Sequence, residues 1–199
     1  MQTTPPPADI PELPIWRLSV EQYHAMIEYG ILQEGEPVEL LAGWLALKMT
    51  KSPPHESAIR RLRRCLEERV GAEWIVDVQS PIELAESEPE PDLTVVRASD
   101  DDYAERHPTA GDVGLVIEVA QTTLGTDRGL KLRIYAAALI VEYWIVNLID
   151  EQVEVYREPS LTEGRATYAK RQDYNAGQSV PLSLAGQPVG EIAVNDVLP

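Results

Sequence analysis

The stretch Gly114 to Tyr135, GLVIEVAQTTLGTDRGLKLRIY, restricts the possible folds more than any other part of the chain. It opens on an apolar run, Leu115-Val116-Ile117, continued by Val119 and Ala120, which reads as a buried strand. Glu118 stands inside that run. A carboxylate in a buried strand is expensive unless it is paired, hydrogen-bonded or bound to a metal. A short polar loop follows, then a helix carrying Asp127, Lys131 and Tyr135. At i, i+4 and i+8 these three lie on or near one helical face. Upstream, Pro91-Asp92 opens another strand-like run, Leu93-Thr94-Val95-Val96. Asp92, Glu118 and Lys131 are therefore candidates for a metal site of two carboxylates and one lysine.

The rest of the chain supplies elements to pack around this pair of strands. Residues 1–14 are Pro-rich and read as a flexible or extended arm. Ser19 and Gln22 fit a capping box, and the helix they start, Val20 to Tyr29, stops at Gly30. Pro37 to Leu41 and Trp44 to Leu47, joined by Ala42-Gly43, read as a hairpin. Lys51 to His55 reads as a breaker segment before a helix from Glu56 to Val70, with Ile59, Leu62, Leu66 and Val70 as its core stripe. Trp74 to Gln79 is a strand, with Pro81 to Leu84 continuing it after a kink. Asp100-Asp101-Asp102 can cap a short helix. Glu142 to Leu148 and Gln152 to Tyr156 read as a hairpin. Three short strands follow, Ala166 to Gln172, Val180 to Leu184 and Ile192 to Val197. This order of helices and strands specifies a mixed α/β or α+β fold with one central sheet and helices packed on it.

Composition narrows the function. The chain has 199 residues, ordinary for a globular protein with a sizeable core, and no apolar run approaches the ~20 residues of a membrane span. The first residues have neither the basic nor the apolar region of a secretory signal. Cys65 is alone, so no disulfide framework or cysteine metal cluster exists, and a cytoplasmic location is expected. His24, His55 and His107 are too scattered for a compact zinc motif. The net charge of −16 argues against broad non-specific nucleic-acid binding. Basic residues nevertheless concentrate between Lys48 and Arg69, and acids between Glu83 and Glu105.

Several short motifs occur in order: EL-(x)2-G at Glu39 to Gly43, PPH at Pro53 to His55, PD at Pro91-Asp92, EV at Glu118-Val119, D-x3-K-x3-Y at Asp127 to Tyr135 and EYW at Glu142 to Trp144. Together they resemble the Uma2 family (DUF820), described as restriction endonucleases with a PD-(D/E)XK nuclease-like fold, over Leu18 to Tyr156. The resemblance implies a restriction-endonuclease-like core at residues 18–156 within a single domain of 15–199, with residues 157–199 as a C-terminal β extension. It also implies a Mg²⁺ (or Mn²⁺) site on Asp92 and Glu118, nucleic acid (DNA first) as the partner, and a homodimer. The parent motif has a lysine two residues after the second acid. Here that position is Ala120, and the resemblance moves the lysine to Lys131 on the following helix. Glu39 and His55 match further polar positions of the family. Gln121-Thr122 and Leu139-Ile140-Val141 depart from the family pattern.

The implied chemistry is phosphodiester hydrolysis. Asp92 and Glu118 are hard oxygen ligands, Lys131 stabilises the transition state, Glu39 adds a ligand, and His55 contacts phosphate or shuttles a proton. Tyr135 orients Lys131 or Glu118. Residue by residue, simpler readings stand beside these. Glu118 can be a paired strand acid and Asp92 a turn acid. Lys131 can be a solvated ion pair with Asp127, His55 a helix cap, and Glu39 a cross-strand partner of Lys48. The arginines of 60–64 read as a solvated helix face. Tyr143, Trp144 and Tyr156 read as core or dimer surface, and the EYWIVNL/QVEVY hairpin is the expected dimer interface. Three functions follow: a metal-dependent endonuclease, a catalytically weak or inactive binding or assembly module on the same fold, or a hydrolase of a small phosphorylated substrate.

Overall fold

The computed structural model describes residues 15–33, 35–162 and 164–199. The Pro-rich arm of residues 1–14 lies outside the described residues. The elements are α1 (Val20–Glu28), β1 (Val38–Leu41), β2 (Trp44–Leu47), α2 (Pro53–Glu67), β3 (Trp74–Val78), β4 (Leu93–Arg97), β5 (Val113–Ala120), α3 (Leu124–Thr126), α4 (Leu132–Ala137), β6 (Glu142–Asn147), β7 (Gln152–Thr162), β8 (Arg165–Asn175), β9 (Ser179–Leu184), β10 (Gln187–Ala193) and α5 (Val194–Val197). A π-helical turn, Asp127–Lys131, joins α3 to α4 into one continuous helical segment.

A six-stranded sheet in the order β3-β4-β5-β6-β7-β8 forms the centre. Only β5 and β6 run parallel, because the α3–α4 segment crosses over between them. β5 is buried along its whole length, as an apolar strand covered on both faces must be. Its odd-numbered residues Leu115, Ile117 and Val119 pack with α2, β9, β10 and α5. Val116 and Ala120 pack on the opposite side with Ile134, Tyr135 and Ala136 of α4. Period-two alternation therefore turns Glu118 toward the α3–α4 segment.

The local signals behave as their chemistry requires. The Ser19 hydroxyl accepts from the Gln22 amide at 3.2 Å while the Gln22 side chain accepts from the Ser19 amide at 3.0 Å. The β1–β2 turn has positive φ at both Ala42 (49°) and Gly43 (80°), the geometry that suits a two-residue hairpin. A Cβ on Gly43 would also meet the Arg17 Cβ at 2.6 Å.

Five expectations need correction. α2 begins at Pro53 behind the N-cap Ser52, so the presumed breaker is the helix's first turn. Proline fits there because its missing N–H has no intrahelical acceptor to lose. Residues 81–84 do not prolong β3; Gln79 turns to φ 54° and the segment makes only isolated bridges. Residues 100–102 form turns instead of a helix. Finally, Ile192–Val197 is not one strand: β10 ends at Ala193, and α5 buries Val194 and Val197. The EYWIVNL/QVEVY hairpin is also not an outer surface. β6 is buried throughout and paired on both edges, which leaves it no face for a second copy. β7 runs from Gln152 to Thr162 and pairs with β8, so the sheet continues across the expected core boundary at 156.

Candidate metal and phosphate centre

Five elements, β1, α2, β4, β5 and the α3–α4 segment, converge where β5 leaves the sheet. β4 and β5 are antiparallel with Leu93 opposite Ile117, so one step further Asp92 lies opposite Glu118. The Val119 amide donates to Asp92 Oδ2 at 2.9 Å and fixes that carboxylate against β5. His55, in the first turn of α2, meets the same oxygen through Nε2 at 3.0 Å, and the Gln79 amide nitrogen donates to Asp92 Oδ1 at 3.3 Å. From the helical side, Lys131 Nζ donates to Glu118 Oε1 at 2.9 Å and the Tyr135 hydroxyl to the same oxygen at 2.7 Å. Lys131 also lies 3.3 Å from Glu39 Oε1, and Glu39 Oε2 accepts from the Glu90 amide at 3.0 Å.

All five residues named from the sequence thus meet: Asp92, Glu118, Lys131, Glu39 and His55. Several simpler readings fail for steric reasons. Lys131 is not solvated; only 7% of it is exposed. Glu39 sits opposite Ala46, and Lys48 pairs instead with Glu90 at 2.7 Å. Ser52 caps α2, which leaves the His55 ring for Asp92.

Sequence reasoning gave Asp127 too little weight, as a surface partner of Lys131. It is buried, and its Oδ2 has no hydrogen-bond partner. The D-x3-K spacing carried the signal, but it reads equally well as a solvated pair.

Charge is badly balanced here. Three buried carboxylates (Glu39, Glu118, Asp127) act on one ammonium, and a fourth, Asp92, stands beside Glu118 with His55 as its partner. Burial pushes the Glu118 carboxyl up to about 8; Lys131 pulls it down, and Asp127, Asp92 and Glu39 raise it further. Burial likewise lifts Asp127 to about 6 against the pull of Thr123 and Lys131. Burial alone would lower Lys131, but Glu118, Glu39 and Asp127 outweigh it and hold the ammonium firmly charged. Burial also works against the Asp92 carboxylate, yet His55 and the Val119 amide keep it below its usual range. Both hydrogen bonds to Glu118 among the described residues fall on Oε1, and none falls on Oε2.

A second cluster has no counterpart in the sequence reading. One ligand atom each of His24, Glu83 and Glu88 lie within 4.8 Å of one another, a set able to coordinate a metal. His24 Nε2 is 2.5 Å from Glu88 Oε2 across 64 positions of sequence, too far apart for any spacing motif to reveal.

A central mixed sheet flanked by helices, with acids and a lysine gathered at the end of its middle strands, defines a restriction-endonuclease-like α/β domain. The chain belongs to the Uma2 family, whose model, described as "Putative restriction endonuclease", matches residues 20–193. A similar solved structure is that of a protein from Anabaena variabilis ATCC 29413, titled a putative nuclease belonging to DUF820. The two share 14% identity, over 90% of this chain and 97% of that one, with a TM-score of 0.62, a likeness of fold. No curated protein matches the chain. Among the described residues, no helix is long and apolar enough to cross a membrane.

Proposed function

We propose that this protein is a divalent-metal-dependent endonuclease that hydrolyses phosphodiester bonds of nucleic acid, DNA in the first instance. The observation that carries this reading is the buried excess of carboxylates over ammonium around Lys131. Uncompensated buried charge is strongly unfavourable; protons on Glu118 and Asp127 relieve part of it in the metal-free protein, and a hard cation that displaces them is the species such a set fits. The donor set is all oxygen, with Asp127 Oδ2 unpartnered, and fits Mg²⁺ or Mn²⁺.

Asp92 and Glu118 would hold the ion. When bound, such an ion acidifies water and offsets negative charge on a phosphoryl oxygen. The protein's own residues do the positioning. His55, Gln79 and the Val119 amide fix Asp92; Tyr135 and Lys131 fix Glu118. Glu39 anchors Lys131 from the far side, so that the ammonium stays beside the reacting phosphate and stabilises the charge that develops on it.

Two observations favour a second reading, a nuclease-fold binding or assembly module. The net charge is −16, and Ala120 stands where the parent motif has lysine. Calorimetric titration of Mg²⁺ and Mn²⁺ into wild type and Asp92→Asn, with plasmid cleavage on the same samples, separates the two. We expect metal binding and cleavage in wild type and loss of both in the variant. Binding without cleavage supports the module, and absence of binding in wild type removes the catalytic reading.

A further inference from the structure

We infer that His24, Glu83 and Glu88 form a second metal site, distinct from the Asp92–Glu118 centre. It would take a divalent transition ion that accepts imidazole, Zn²⁺ foremost, and it clamps α1 to the body of the protein. The inference does not depend on the nuclease reading.

The two glutamates are brought together by backbone. An antiparallel bridge between Leu84 and Ser87 places Glu83 and Glu88 next to each other on its open side. That turn is held from three directions. The Glu83 amide donates to Pro108 O at 2.8 Å, the Glu88 amide to Leu40 O at 2.7 Å, and the Ser87 hydroxyl accepts from the Ala42 amide at 2.8 Å. The carboxylates are therefore prearranged. Among the described residues, neither forms an ion pair with a lysine or arginine; His24 is the one partner, and it faces Glu88. Two like charges held within 4.8 Å on a fixed turn repel unless a cation lies between them.

The donor set selects the ion. One imidazole nitrogen and two carboxylate oxygens suit Zn²⁺, Mn²⁺ or Co²⁺, whereas Mg²⁺ prefers oxygen alone. Three protein ligands leave room for water, and the His24 side chain is 42% exposed, so solvent reaches the site. Binding would displace the proton on His24 Nε2 that otherwise serves Glu88. The consequence for the fold is direct, because α1 buries only Val20 and Tyr23. A metal bond from the next residue, His24, would fasten a thinly anchored helix to the turn two residues before Glu90, whose amide holds Glu39.

The test uses the full chain, stripped of metal and then loaded with ZnCl₂ or CoCl₂ and desalted. Metal content and the visible spectrum of the Co²⁺ form are read in wild type, His24→Ala, Glu83→Gln and Asp92→Asn. We expect about one retained Zn²⁺ per chain in wild type and Asp92→Asn, lost in His24→Ala and Glu83→Gln. We also expect zinc to raise the thermal midpoint of wild type and not that of His24→Ala. Equal zinc retention in all four proteins, or none in wild type, overturns the site. Glu83 is only half-buried, so its variant keeps the test valid if His24→Ala disturbs α1. Loss of Mg²⁺ binding in Asp92→Asn with zinc intact would separate this site from the proposed catalytic one.

Discussion

Glu118 and Glu154 are both buried strand carboxylates on one face of the same sheet, yet their surroundings differ in kind. Glu118 pairs across to Ile145, and Ile145 to Glu154, so two strand spacings, about 10 Å, separate them. Glu154 is fully buried and fully answered. The Arg128 guanidinium grips both its oxygens, Arg171 lies 3.3 Å from Oε2, Tyr156 donates at 2.7 Å and Asn147 at 2.9 Å. Burial opposes its charge, but Arg128, Tyr156 and Asn147 keep its carboxyl below the usual range. Glu118 instead shares one ammonium with Glu39 and Asp127, has Asp92 beside it, and is pushed up to about 8. A buried acid whose charge is satisfied stabilises a fold; one left in surplus stands ready for something the fold does not supply. The π-helical turn divides the two, sending Asp127 to the Glu118 side and Arg128 to Glu154.

The largest expected effect breaks the surplus cluster. Asp92→Asn should lower metal-dependent cleavage by about a thousandfold or more while leaving circular dichroism unchanged, since a neutral amide cannot replace a ligand carboxylate. Removing the ammonium comes next. Lys131→Met should reduce cleavage about 10²–10³-fold, the usual effect of losing one transition-state donor, but should retain metal, which a titration would show.

The third prediction uses pH. Glu118 and Asp127 hold protons that the unfolded chain, with its usual 4.5 and 3.8, has already released. Their contribution to stability is complete below those unfolded values and is lost as pH rises through about 6 and then about 8. The metal-free protein should therefore weaken over that range by on the order of a few kcal/mol, and Glu118→Gln should flatten the slope in denaturant titrations. Glu154 has the opposite sign: its stabilisation is present above the ordinary carboxylate range and disappears on acidification. The smallest effect follows from this. Glu154→Gln should destabilise by about 1–3 kcal/mol, because Arg128 and Arg171 are partly exposed and recover water, and it should leave metal binding intact. Equal loss of metal in Glu154→Gln and Asp92→Asn would end the distinction.

Much of the fold was legible because burial and periodicity coincide in it. β5 and β6 are apolar runs but for Glu118 in the one and Glu142 and Asn147 at the ends of the other, and α1 announces its start with Ser19 and Gln22. The meeting of the five candidate residues was legible through order of motifs rather than through any one of them. What escaped depended on tertiary context. The role of Asp127 required knowing that its helix is covered; Glu154 lay in an ordinary-looking QVEVY strand; and His24 meets Glu83 and Glu88 only after α1 has packed. Residues 192–197 misled because Ile192 and Val194 alternate like a strand, and only burial of Val197 reveals the turn of helix.

The π-helical turn also bears on length variation. Such a turn holds one residue more than the α-helical turn it replaces. Loss of a residue such as Gly129 would restore ordinary winding, and each α-helical residue advances about 100°. Side chains within the turn, from Asp127 to Lys131, would then be re-aimed relative to one another, while the helical residues on either side keep their phase. Asp127 and the Lys131–Tyr135 pair could no longer address the same carboxylate together. In this segment an insertion or deletion is a change of chemistry, whereas in the exposed turns of the C-terminal hairpins it would be a change of length alone.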